Sequence, residues 1–165
     1  MRAVGGTVLR PMFVYGAGDR WFVPMLSWMA RRFGALPEGG RARLSVISVH
    51  ALARAVCALA TGPAEGLAGA VLHAAHPEPV AVAELVAVLA EHALAPALVG
   101  DVGYAQARAA WDVGSSRLSL ISFDHFYDSS RLWSAVGPLH GEGFREAFPR
   151  YAQWYRDSCR ERPDQ

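Results

Sequence analysis

The densest group of proton-exchanging side chains lies in the run SFDHFYD. There Asp124, His125 and Tyr127 put a carboxylate, an imidazole and a phenol within four positions, with Asp128 beside them. Such a group can hold a general acid and a general base. Neighbouring residues need not face one way, however, and the alternative is a purely structural segment. Two further histidines, His50 and His76, follow short apolar strands, and α/β folds place their sites at the carboxyl ends of strands. Imidazole is the one side chain that ordinarily exchanges protons near neutrality. His73 lies inside an apolar strand and reads as a core histidine, and His140 reads as a surface turn. The six histidines show no H-x-x-x-H or H-E-x-x-H spacing, so no metal is expected. Trp21, Phe22, Trp28 and Phe33 sit close together, and Trp111, Phe123, Phe126, Trp133 and Trp154 follow later. Part of this inventory is expected to line a cleft for a flat or hydrophobic ligand, the alternative being a rebuilt core.

These residues are carried on alternating strand and helix signals. Thr7–Tyr15 is rich in β-branched and aromatic residues and reads as a strand made irregular by Pro11. Asp19 is placed to cap a helix to Arg32 that stops at Gly34. A turn at 37–40 leads to a strand at 44–49 and an alanine-rich helix at 51–60, ended by Thr61, Gly62 and Pro63. A strand at 70–74 precedes the most periodic helix, 82–92, and a weaker helix spans 102–111. Two more helices are expected at 129–136 and 143–158, the second interrupted at Pro149. Alternation of this kind predicts an α/β fold.

The chain has 165 residues, 52% hydrophobic and 19% charged, enough for one domain with its own core and too apolar for disorder. All 16 basic residues are arginine, and there is neither lysine nor asparagine against 29 alanines. Absence of lysine excludes Schiff-base chemistry, a phosphate-loop lysine and a Tyr-x-x-x-Lys pair within this sequence. Net charge is +1 with the arginines scattered, which gives no footprint for nucleic acid. Cys57 and Cys159 are too few for a disulfide framework, and Cys57 in ARAVCALA reads as a buried thiol. The amino terminus carries no leader pattern, and Pro79–Val99 is interrupted by Glu84, Glu91 and His92. A cytoplasmic protein without a membrane span is expected.

Four ordered segments, TVLRPMFVYGAGDR, RARLSVISVHALARAV, GAVLHAAHPEPVAVAELV and FYDSSRLWSAVGP, resemble the extended short-chain dehydrogenases. That is the NAD-dependent epimerase/dehydratase family, with its sterol-dehydrogenase-like branch. The resemblance covers almost the entire chain, but only the carboxyl-terminal, substrate-binding half of such an enzyme. It implies a truncated Rossmann-like remnant: a few mostly parallel strands packed with about five to six helices, forming a single substrate-binding domain over 1–165. The family's glycine-rich dinucleotide fingerprint and catalytic Tyr-x-x-x-Lys belong to the other half, so no cofactor is expected here. The resemblance puts Tyr15, Arg20 and Trp21 at the mouth of a substrate cleft. It matches Arg43 to an arginine that touches a nucleotide-sugar diphosphate, a surface ion pair being the alternative. His50 stands where the family has an aspartate that caps the next helix, and it is either a new general base or a drifted position. Ala81 likewise replaces a capping Ser or Thr.

Truncation would leave the 7–15 strand without its neighbour, so a second copy or a partner chain is expected to cover that edge. Three functions remain open. The first is a cofactor-independent, non-redox enzyme performing cyclisation, dehydration or isomerisation of a hydrophobic oxygenated secondary metabolite, with His50, His76, Asp124, His125 and Tyr127 as candidate acids and bases. The second is half of a split NAD-dependent oxidoreductase or epimerase, and the third a ligand-binding module that catalyses nothing.

Overall fold

The computed structural model describes residues 6–62, 66–97 and 100–160. Expectations that fall on residues 1–5, on Pro63, on Val99 and on the Cys159 side chain lie outside the described residues. The 7–15 segment divides at Met12 into β1 (Val8–Pro11) and β2 (Phe13–Tyr15). Proline has no N–H to carry a ladder onward, and the two pieces take different partners. β1 runs parallel to β6 (Val71–Ala74), with Val8 opposite Val71 and Arg10 opposite His73. β2 runs parallel to β5 (Val46–Ser48), with Phe13 opposite Val46 and Tyr15 opposite Ser48. Among the described residues, the second edge of β1 has no strand beside it.

Asp19 caps α1 (Phe22–Phe33) by accepting the N–H groups of Trp21, Phe22 and Val23 at 2.9, 2.8 and 2.9 Å. Gly34, at φ 65°, closes the helix through its N–H to the Ala30 carbonyl. β3 (Ala35–Pro37) and a 3-10 turn at Glu38–Gly40 lead to β4 (Arg43–Leu44). β4 pairs antiparallel with β7 (Val80–Ala81), and β3 pairs parallel with β8 (Gly100–Val102). α2 (Val49–Thr61) follows β5, and α3 (Val82–Glu91) follows β7 without a side-chain cap at Ala81. The remaining helices are α4 (Tyr104–Ala110), α5 (Ser115–Ser122), α6 (Ser130–Val136), α7 (Phe144–Ala147) and α8 (Pro149–Arg160). The architecture is α/β, a partial Rossmann-like fold with three parallel strand pairs and one antiparallel pair among the described residues.

Among the described residues the helix number rises to eight because Pro149 splits the last predicted helix and because α5 carries little periodicity to announce it. Three local expectations need correction. Ser48, not position 50, caps α2, its Oγ accepting the Ala51 N–H at 3.1 Å. Cys57 is exposed, since α2 fully buries only Ala51 and Ala55, half-buries Val49, Leu52 and Leu59, and turns Cys57 and Val56 to solvent. His73 is half-buried rather than in the core, its ring lying against Tyr127.

The larger core joins β2 to α1, α3 and the last two helices, through Phe13, Tyr15, Phe22, Leu26, Leu85, Phe148 and Tyr155. A second cluster packs Ile47, Ala51, Ala55, Leu72, Leu132 and Trp133 between α2, β6 and α6. The carboxyl ends of β2 and β5, with the first turn of α2, therefore lie against the carboxyl-terminal helices.

Candidate active site

Tyr15 ends β2 and is buried, edge-on to Tyr151 at 5.7 Å and 88°. Burial pushes its phenol well above the ordinary tyrosine range, and the neighbouring Tyr151 adds to that. The chain then turns at Gly16, whose φ of +128° suits glycine. A Cβ there would lie 2.6 Å from Val49 Cγ1 and 3.2 Å from Tyr151 Cε1. Only hydrogen fits between the β2 turn, the start of α2 and α8. The Gly16 N–H donates to Tyr155 Oη at 2.7 Å, and the Tyr155 hydroxyl donates to Asp19 Oδ2 at 2.9 Å.

His50 projects from the first turn of α2 and is exposed. Its Nδ1 lies 2.6 Å from Tyr151 Oη, with the rings stacked at 5.5 Å. A titratable imidazole and a buried phenol thus meet at the carboxyl ends of two parallel strands. Sequence reading found His50 but missed Tyr151 and Tyr155. Their signal is the four-residue spacing on α8, which puts both phenols on one helix face.

Arg20 and Trp21 line a cleft of about 330 Å³ together with Pro24, Met25, Trp28 and Arg117. The Trp21 ring lies nearly parallel to Phe13, 6.2 Å away.

The Asp124–Asp128 segment acts mainly as a splint. Asp124 Oδ1 accepts the Arg43 N–H at 2.8 Å. The His125 N–H donates to the Arg43 carbonyl at 2.8 Å, and its own carbonyl accepts the Ser45 N–H at 2.9 Å. The Tyr127 N–H donates to Ser45 Oγ at 2.9 Å, while its ring stacks on His73 at 4.6 Å. The Asp124 carboxylate is thus tied to the backbone of β4, and the Tyr127 ring lies against His73. His125 Nε2 is buried without a hydrogen-bond partner. The Arg43 guanidinium lies over the Phe126 ring at 5.5 Å, and no ion pair is formed there among the described residues. Asp128 accepts both the N–H and the hydroxyl of Ser130, which hold its carboxyl below the usual range. His76 Nδ1 accepts the Glu78 N–H at 3.2 Å, and its ring meets His140 at 5.1 Å and 90°. Pro77 and His140 border a cavity of about 500 Å³.

Gly16 offers no open backbone to a dinucleotide. The Gly16 N–H is taken by Tyr155, and its α-carbon faces Val49 and Tyr151 rather than open space. Among the described residues, no three His, Cys, Asp or Glu side chains are grouped to hold a metal ion, and no helix is long and apolar enough to cross a membrane.

No protein-family model matches the sequence, and no curated protein does. Solved structures do match the fold. UDP-glucuronic acid 4-epimerase from Bacillus cereus, in complex with UDP-glucuronic acid and NAD, superimposes with a TM-score of 0.64 at 11% identity, over 92% of this chain and 45% of its own. MoeE5 in complex with UDP-glucuronic acid and NAD gives 0.63 at 24% identity, over 91% and 46%. The epimerase Mth375 from Methanothermobacter thermautotrophicus gives 0.66 at 16% identity, over 92% and 43%. The chain therefore has the fold of part of these proteins and spans a little under half the length of each.

Proposed function

We propose that this chain supplies a substrate cleft and an acid–base pair for proton-transfer chemistry without redox change on a hydrophobic, oxygenated small molecule. Cyclisation, dehydration and isomerisation all fall within that class. The carrying observation is the 2.6 Å contact between His50 Nδ1 and Tyr151 Oη at the carboxyl ends of β2 and β5. With Nδ1–H donating to the phenol oxygen, the outer nitrogen Nε2 is a general base that takes a proton from the substrate carbon. The imidazolium so formed, still held by Tyr151 through Nδ1–H, is the general acid that returns that proton to the substrate or its leaving oxygen, so isomerisation or dehydration leaves His50 as it began. Arg20 and Trp21 hold the substrate's oxygen and its flat portion. His76, Asp124, His125 and Tyr127 are secondary candidates, because their contacts are to backbone or to other rings.

The test is solvent-deuterium exchange at the acidic carbons of a panel of β-dicarbonyl and cyclic ketone compounds, followed by NMR. The intact protein should accelerate exchange, and His50→Ala and Tyr151→Phe should each lose about 10²–10⁴-fold. Unchanged exchange in both variants, with folding retained, sinks the assignment.

The edge of β1 that has no strand beside it among the described residues favours a second reading. In it the chain is the substrate-binding half of an NAD-dependent epimerase, and another polypeptide segment supplies the dinucleotide site. The UDP-glucuronic acid bound in the matching solved structures is then the substrate to try, with a nucleotide-binding partner half added. Activity that appears only with that half supports the second reading over the first.

A further inference from the structure

His76, in the loop after β6, and His140, in the loop between α6 and α7, meet although they lie far apart in sequence. Their ring centres are 5.1 Å apart and the ring planes stand at 90°. Both rings are mounted on tethered backbone. The His76 N–H donates to the carbonyl of Val46, the first residue of β5, at 2.8 Å. On the other side Arg54 Nη2 donates to the Leu139 carbonyl at 2.9 Å, and Glu142 pairs with Arg150. The inner ring nitrogens are engaged as well. His140 Nδ1 lies 2.9 Å from the Gly141 carbonyl, which places the proton on Nδ1 and leaves a lone pair on Nε2. His76 Nδ1 lies 3.4 Å from the Glu78 carbonyl, besides its contact to the Glu78 N–H. The tautomer with a lone pair on Nε2 is therefore within reach of this ring too.

An imidazole whose Nδ1–H is held by a backbone carbonyl has the usual form of a metal-ligating histidine, because that bond fixes the tautomer and the ring orientation. Two imidazole nitrogens at about 2.0 Å from one ion, with a bond angle of about 90–110°, put the ring centres roughly 4.5–5.3 Å apart. The separation of 5.1 Å falls inside that range. We infer that His76 and His140 form a two-nitrogen site for one divalent ion of the copper, nickel and zinc class. Water completes the coordination, since His140 borders the open cavity of about 500 Å³. The Asp128 carboxylate on the same cavity wall offsets part of the ion's charge. Imidazole ligands favour copper(II) over nickel(II) and zinc(II), and they do not suit magnesium or calcium, which take oxygen. The bound ion ties the loop after β6 to the loop before α7. Only the fold joins the two histidines, so no short spacing in the sequence announces them.

The experiment is titration of the intact, chelator-stripped chain with copper(II), nickel(II), zinc(II) and magnesium salts. Tryptophan emission reports binding, since the Trp133 ring lies 5.6 Å from that of His140, and histidine-resolved NMR locates it. One copper ion per chain should bind and quench, at lower concentration than nickel or zinc, and magnesium should do neither. Zinc should shift the ring resonances of His76 and His140 and leave those of His50 and His73 in place. His76→Gln and His140→Gln should each weaken copper binding about 100-fold or more, above the loss expected of a merely supporting group. Metal-free melting temperatures check folding, and the two variants lie in different loops, so one carries the test if the other melts early. His50→Ala should bind copper as the parent chain does, which keeps this site separate from the acid–base pair. The inference is overturned if either glutamine variant, still folded, binds copper as tightly as the parent. It is overturned equally if zinc shifts every histidine alike, or if no ion binds more tightly than about 1 mM.

Discussion

The Tyr155 hydroxyl donates to Asp19 Oδ2 at 2.9 Å across 136 residues of chain, and the same oxygen atom of Tyr155 accepts the Gly16 N–H at 2.7 Å. One phenol from the last helix thus fixes both the turn after β2 and the cap of α1. Arg20 and Trp21 follow directly on the second of those anchor points. Tyr155→Phe removes both bonds and strands a buried amide, which costs about 2–4 kcal/mol at the usual value for two such bonds. Asp19→Ala removes the cap and costs about 1–2 kcal/mol. Because the two residues share a bond, the double variant should lose less than the sum, and denaturant titration of all three proteins checks this. Additive losses would show that the contact couples nothing.

The buried phenols set an alkaline limit. Tyr15 and Tyr155 are both pushed above the ordinary value of 10.0, each chiefly by burial, with Tyr151 and Asp19 respectively adding to it. Their neutral forms are favoured in the folded protein, so the stabilisation is fully present below pH 10 and is lost as pH rises above it. Each phenol that ionises only on unfolding contributes a slope of about 1.4 kcal/mol per pH unit. The melting temperature should hold steady to about pH 9 and fall steeply beyond 10. Tyr155→Phe should make that fall shallower even though it starts from lower stability. A melting temperature independent of pH between 9 and 11 would refute the assignment.

Gly16→Ala tests the close approach at the site. The left-handed φ of +128° disfavours alanine, and the new methyl meets Val49 Cγ1 at 2.6 Å. Strain plus overpacking costs about 2–4 kcal/mol. Relief requires Val49 or Tyr151 to move, and Tyr151 carries the contact to His50. The imidazole NMR resonances of His50 should therefore shift in Gly16→Ala and not in Gly18→Ala, since no atom lies within 4 Å of a Cβ at Gly18. Equal perturbation by both variants would remove the packing argument.

Much of this fold is legible locally. The Asp19 cap, the Gly34 stop, the break at Pro149 and the alternation of strand with helix are each written within a few residues. The site is legible only in part. His50 stands out by its residue type, but its partner Tyr151 is 101 residues away and looks in sequence like one more helical aromatic. In the SFDHFYD run the structural use is what the sequence hides. It concentrates acid and base groups, yet it is used to bridge β4, with Asp124 and His125 bonded to Arg43 and Ser45 backbone. The exposed Cys57 has a similar cause. An apolar helix such as α2 reads as buried on every side, and nothing local says that only its Ala51 and Ala55 face is covered.

The open edge of β1 makes the last prediction. Val8 donates to the Ala70 carbonyl at 2.8 Å, so strand alternation turns the Leu9 N–H away from β6 toward the side with no strand among the described residues. Val8 is 40% exposed beside that edge. A bare strand edge with an apolar neighbour is a template for further pairing, and Pro11 limits the pairing length to about four residues. A second copy of the chain, or a partner polypeptide, is expected to add a strand here. Light scattering should then give a mass above that of one chain, and the Leu9 amide should be protected from hydrogen exchange. Val8→Lys places a charge on the edge and should dissociate the assembly and expose Leu9 without loss of helical signal. A single-chain mass together with fast exchange at Leu9 in the unmodified protein would mean that Pro11 alone is enough to protect the edge, and that no partner strand is needed.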